Sequence, residues 1–172
     1  MMIKRLGLLL CLLAPQSHAY DITLYVRGVV TAGGCALAQE SKSQNIILGA
    51  ITSDILRKPD ASGNRQRFQI NVVNCTSDTG GVRIQFVGRP DADNPELLAI
   101  EPDPDAATGV AVELLDHDGV RLPINEQGRF RFIEDDSVTS HSLEFYAQYK
   151  ATGASVTSGS ANASATFYVE YE

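Results

Sequence analysis

Asp21-Ile22-Thr23-Leu24-Tyr25-Val26-Arg27-Gly28-Val29-Val30 is the stretch on which the reading of this chain turns. Ile22, Leu24, Val26 and Val30 form an apolar even-numbered row, with Gly28 as its gap. The odd positions carry Asp21, Thr23 and Arg27, with Tyr25 and Val29 as exceptions. A period of two marks a strand with one buried face. At ~3.3 Å per residue it reaches about 30 Å, the full height of a sheet.

Upstream, residues 1–19 have the pattern of a secretory signal peptide. Lys4 and Arg5 give the positive start, Leu6 to Leu13 an apolar run too short to span a bilayer, and Ser17-His18-Ala19 the small residues of a cleavage site. Cys11 follows the bulky Leu10, a poor lipoprotein site, and leaves with this segment. Removing the 19 residues from 172 leaves 153, the size of one domain, and takes the net charge from −7 to −9. An acidic chain without a basic run excludes nucleic acid and anionic membrane as natural partners. No second hydrophobic stretch follows, so no membrane insertion of the mature chain is expected.

Cys35 and Cys75 remain. In an exported protein an isolated pair is most simply a disulfide. Closing a loop of about 40 residues stabilises by ~4 kcal/mol in the chain-entropy model. A metal centre lacks ligands, since His117 and His141 stand at no zinc spacing from either cysteine.

Further strands follow at short intervals. They are Asn45 to Gly49, Phe68-Ile70-Val72, Val82-Ile84-Phe86, Val110-Val112-Leu114 opposite Ala111 and Glu113, Phe130 to Ile133, and Leu143-Phe145-Ala147-Tyr149. Asp116-His117-Asp118-Gly119 has the composition of a hairpin turn, after which Val120-Arg121-Leu122 resumes. Ser53 to Leu56 allows one helical turn at most. Many short alternating strands with turn residues between them define an all-β sandwich.

Nothing in this pattern makes a catalytic site. Asp116-His117-Asp118 lacks the full calcium-loop pattern. Glu101-Pro102-Asp103-Pro104-Asp105 and Glu134-Asp135-Asp136 have the composition of solvated loops. Ser140-His141 has no third triad member, and no Gly-x-Ser-x-Gly turn is present. Asn74-Cys75-Thr76 and Asn162-Ala163-Ser164 match a glycosylation pattern short enough to arise by chance. No catalytic residue, metal or cofactor is expected.

The final segment alternates again, with Ala161, Ala163, Ala165, Phe167, Val169 and Tyr171 on one face. A long apolar-faced edge needs a partner. From alternation alone, that partner is the 21–30 stretch of the same chain, folding back to close the sandwich.

Resemblance changes this balance. Gly28 in its alternating strand, the Cys35–Cys75 spacing, Phe86-Val87-Gly88, Leu143-Glu144-Phe145-Tyr146-Ala147 and the ending Gly159 … Phe167-Tyr168-Val169-Glu170-Tyr171-Glu172 together resemble chaperone–usher pilin subunits over essentially the whole mature chain. Val26-Arg27-Gly28 and Gly34-Cys35 are most similar to adaptor-type minor subunits of type 1 fimbriae. Gly34 differs from the proline that many shaft subunits carry before the first cysteine.

The resemblance implies an incomplete immunoglobulin-like sandwich (residues 32–172) completed by a donated strand, with residues 20–31 as its own donor-strand extension. A periplasmic chaperone would lend the missing strand. At the outer-membrane usher the next subunit's extension would replace it without a cofactor, in an extracellular fimbrium. Carried onto this chain, Ile22, Leu24, Val26, Gly28 and Val30 match the inserted residues. Phe167, Val169, Tyr171 and Glu172 match the terminal strand at the acceptor groove, where basic chaperone residues would hold the Glu172 carboxylate. This is strand addition, with affinity from main-chain bonds and register from alternate side chains. Burying two Val, one Ile and one Leu contributes at most ~6–12 kcal/mol. That is comparable with a whole domain's stability of ~5–15 kcal/mol. A major shaft subunit and a secreted carbohydrate-binding sandwich are the alternatives. The absence of Trp and of a second domain weighs against the latter.

Overall fold

A computed structural model of the chain describes residues 22–26, 34–76, 79–132, 140–153 and 155–171. Their ten strands form two five-stranded sheets. In chain order these are β1 (Ile22–Val26), β2 (Ala36–Leu37), β3 (Ser43–Ile46), β4 (Gln66–Val73) and β5 (Gly81–Gly88). β6 (Leu98–Ala99), β7 (Val110–Asp116), β8 (Gln127–Phe132), β9 (Ser140–Ala151) and β10 (Ser164–Tyr171) complete them. One sheet runs β3-β1-β10-β5-β8 and the other β2-β4-β9-β7-β6. The all-β sandwich expected from the alternation is what the chain forms.

The alternation of each strand becomes its two faces. β4 buries Phe68, Ile70 and Val72 while Gln69 and Asn71 stay half-buried. β5 buries Val82, Ile84 and Phe86, and β10 buries Ala165 and Phe167. Aromatic rings from both sheets meet at the centre. Phe86 lies 5.4 Å from Phe145, 6.1 Å from Phe68 and 6.2 Å from Phe167, centroid to centroid. Offset and edge-on contacts of this kind add to what area burial alone provides.

β7 departs from alternation, because all seven of its residues are buried. The sequence set Ala111 and Glu113 against an apolar row, as for an outward face. In the fold that face is covered. Arg121 folds back onto Glu113 after the 116–119 turn, and Lys150 reaches across to Asp60 and Ser62.

Cys35 and Cys75 are joined, tying the start of β2 to the end of β4 across a sequence separation of 40. Beside the bridge, Gly34 has φ +135°, and a Cβ there would stand 2.9 Å from the Tyr171 ring. Gly34 also exchanges hydrogen bonds with Thr76. The point where the N-terminal stretch joins the sandwich is thereby fixed at the C-terminal end of β10.

Candidate functional site: the exposed edge of the last strand

β10 is antiparallel to β5 over seven pairs, from Ala165–Gly88 to Tyr171–Val82. Its other edge faces the gap between the sheet and β3. Among the described residues, β1 fills that gap. It runs parallel to β10, with Thr23, Leu24, Tyr25 and Val26 level with Ser164, Ala165, Thr166 and Phe167. It runs antiparallel to β3, from Ile22–Ile46 to Tyr25–Ser43. The donated-strand expectation puts residues 22–26 in a neighbour; with one chain present, they lie in that chain's own groove. An unpaired edge costs hydrogen bonds, and β1 is the nearest segment able to supply them.

The register places the even row at the level of the core. Leu24 and Val26 stand opposite Ala165 and Phe167, which are 5 % and 0 % exposed. Phe167 carries the groove floor into the aromatic cluster through Phe86. Further along β10, Val169 and Tyr171 are half-buried and pack against the core, whereas Tyr168 is exposed. Burial raises the Tyr171 phenol above its ordinary value. Residues 1–19, Gly28, Val30, Glu172 and the acidic run 134–136 lie outside the described residues.

Two of the other candidates take structural roles. The Asp116 carboxylate accepts hydrogen bonds from the Asp118 and Val120 amides and so closes the 116–119 turn. Its neighbours His117 and Asp118 are exposed, 3.3 Å apart. His141 lies in β9 level with Val72.

A site that the sequence did not disclose lies on the outer side of β7 and β9. Glu113 accepts hydrogen bonds from Arg121 Nε at 2.7 Å and Gln148 Nε2 at 2.6 Å, with Lys150 Nζ at 3.8 Å. Arg121 also binds Glu96 at 2.6 Å, and Arg65 donates to Gln148 at 3.3 Å. Burial works against the Arg121 charge, yet the bonds from Glu96 and Glu113 leave its pKa raised. Every charge here has a partner, so the cluster fastens the covering loops to the sheet. The clue in the sequence was the excess of charged residues at 113, 121 and 150, which alternation alone assigns to solvent.

Comparison with known proteins fits this architecture. The family model for fimbrial proteins matches residues 22–172, so the chain belongs to the fimbrial protein family. Among individual relatives, it is 34 % identical to the uncharacterised fimbrial-like protein YcbV of Escherichia coli K12, over 99 % of this chain and 100 % of that one. It is 32 % identical to the type-1 fimbrial protein C chain of Escherichia coli, over 87 % and 83 %. In three dimensions it superposes on a subunit of a chaperone–usher pilus with a TM-score of 0.68 at 22 % identity, covering 92 % of this chain and 98 % of the other. The sandwich is thus the immunoglobulin-like fold of pilus subunits. The family is structural rather than catalytic, and its members are exported to stand outside the cell in pili. Among the described residues, no helix is long and apolar enough to cross a membrane.

Proposed function

We propose that this chain is a structural pilus subunit of the adaptor-type minor class, assembled by donor-strand complementation and exchange through the chaperone–usher pathway. The observation that carries the reading is the edge of β10. Among the described residues, its free side is covered only by a five-residue strand that enters from the N-terminal end of the chain. The disulfide and the aromatic cluster lie outside that strand, which joins β3 to β10 in its sheet.

In this reading residues 32–172 are the pilin domain and residues 20–31 are its extension. Ile22, Leu24, Val26, Gly28 and Val30 enter a neighbour's groove. Phe167, Val169 and Tyr171 form the chain's own groove edge, with the Glu172 carboxylate held by basic groups of the chaperone. Gly28 suits a place where the groove is too shallow for a side chain; inside an ordinary strand it would only weaken the pairing.

The test removes residues 20–31 and expresses the remainder in an oxidising periplasm with and without a pilus chaperone. A stable one-to-one complex with the chaperone, and instability without it, is the expected outcome. A stable monomer that ignores the chaperone would overturn the reading. Copy number per fibre separates an adaptor from a shaft subunit, one or a few copies being expected here.

A further inference from the structure

We propose that the outer side of β9 and β7 carries a binding site for a carboxylated sugar, with Arg65 as the group that holds the carboxylate. This goes beyond the donor-strand reading, which stands or falls without it.

A concavity of 520 Å³ opens on that face, and its lining includes Ser62, Arg65, Glu96, Glu113, Gln148 and Lys150. Space of that size is ordinary for a small-molecule site. The hydrogen bonds that fasten the covering loops use only part of the donors around it. Arg65 gives Nε to the Gln148 side-chain oxygen at 3.3 Å, and its two terminal nitrogens have no acceptor among the described residues. The Glu113 oxygens are already divided, one to Arg121 and the other to Gln148 and Lys150. Glu96 is bonded to Arg121. The partner of Arg65 is thus a neutral amide, and no carboxylate of the cluster answers its charge.

The side chain is nonetheless held in place. Gly119, at φ +75°, lies so close that a Cβ there would stand 2.7 Å from Arg65 Nη1. A glycine leaves the guanidinium room to lie against the 116–119 turn. An arginine fixed through Nε presents its terminal N–H groups as a fork, which matches a planar carboxylate with two parallel bonds.

Beside that fork the concavity offers polar groups of both kinds. Lys150 Nζ donates to the Asp60 carbonyl at 3.1 Å and to Ser62 Oγ at 3.4 Å, which leaves the Ser62 hydroxyl proton to donate. Glu96 uses Oε2 on Arg121 and keeps Oε1 as an acceptor. Sugar hydroxyls donate and accept at once, so they can use both. Leu115 and Pro123 add an apolar stretch of lining for the C–H face of a ring. The chain as a whole carries −7, so general attraction does not gather anions here. Recognition falls to the fork and the hydroxyl pattern.

The experiment follows glucuronate by ligand-observed saturation-transfer NMR on the folded, oxidised protein purified from the periplasm. Glucuronate is expected to give a signal at least fivefold above that of glucose, and unlabelled acetate at equal concentration should displace little of it. Arg65→Gln should lower the glucuronate signal at least fivefold at an unchanged thermal midpoint. Arg57→Gln, an exposed arginine paired with Asp54 in its own turn, should leave it as it was. Should Arg65→Gln fold poorly, Ser62→Ala serves as the second variant, with an expected loss of at least twofold. Equal signals from glucose and glucuronate would show that charge is not read. Full displacement by acetate would remove the sugar from the assignment. Undiminished binding by a folded Arg65→Gln protein, or an equal loss in Arg57→Gln, would overturn the site. None of these results bears on strand exchange, which the chaperone experiment above decides.

Discussion

Glu113 lies 4 % exposed at the middle of β7, its two carboxylate oxygens divided between Arg121 and Gln148. Removing one member of such a buried set strands the charges that remain, which costs more than the set itself contributes. Glu113→Ala should therefore destabilise by ~3 kcal/mol in denaturant unfolding. Glu113→Gln, which keeps the shape and one acceptor, should lose clearly less. Tyrosines supply a second test at this scale. Burial raises the Tyr149 and Tyr171 phenols, and Tyr149 also donates to the Ala161 carbonyl at 3.1 Å. Folding then favours the protonated phenols, so this stabilisation is full below about pH 10 and is lost as pH rises through the folded-state values. Thermal unfolding followed into the alkaline range should show that decline, and Tyr149→Phe should blunt it.

At the scale of the element, β10 matters most, since its two edges have different partners. Phe167 is fully buried and touches the aromatic cluster, so Phe167→Ala should cost ~3–5 kcal/mol and weaken any strand held in the groove. Gly28→Leu tests the opposite partner. It is expected to block fibre growth from the altered chain while the groove of the same molecule still accepts a donor, read by polymerisation assays with each partner in turn. Normal growth from that variant would overturn the role given to Gly28. Strand identity was legible wherever one face met water, as in β4, where Phe68, Ile70 and Val72 alternate with Gln69 and Asn71. It was not legible in β2 and β6, two residues each, which exist because neighbouring strands offer them an edge. Nor could alternation reveal the burial of Glu113, because its cover comes from Arg121 beyond a turn and from Gln148 and Lys150 on β9. The groove strand was found by its period, but its direction depends on where Gly34 is anchored, a tertiary fact.

For the whole molecule, the Cys35–Cys75 bridge decides how the subunit answers tension. A pull arriving along the N-terminal strand reaches residue 35 and passes through a covalent bond into the end of β4. The chain between the two cysteines, spanning a sequence separation of 40 with β3 and the long loop after it, lies outside that load path. Stretched to failure between its ends, the oxidised molecule should lengthen by about 140 Å less than the reduced one, at up to ~3.6 Å for each sequestered residue. Single-molecule extension under oxidising and reducing conditions measures this directly, and equal lengths would show that the bridge carries no force. A bond usually credited with thermal stability thus also acts as a mechanical stop. It sets how far one link can yield before the strain passes to the next.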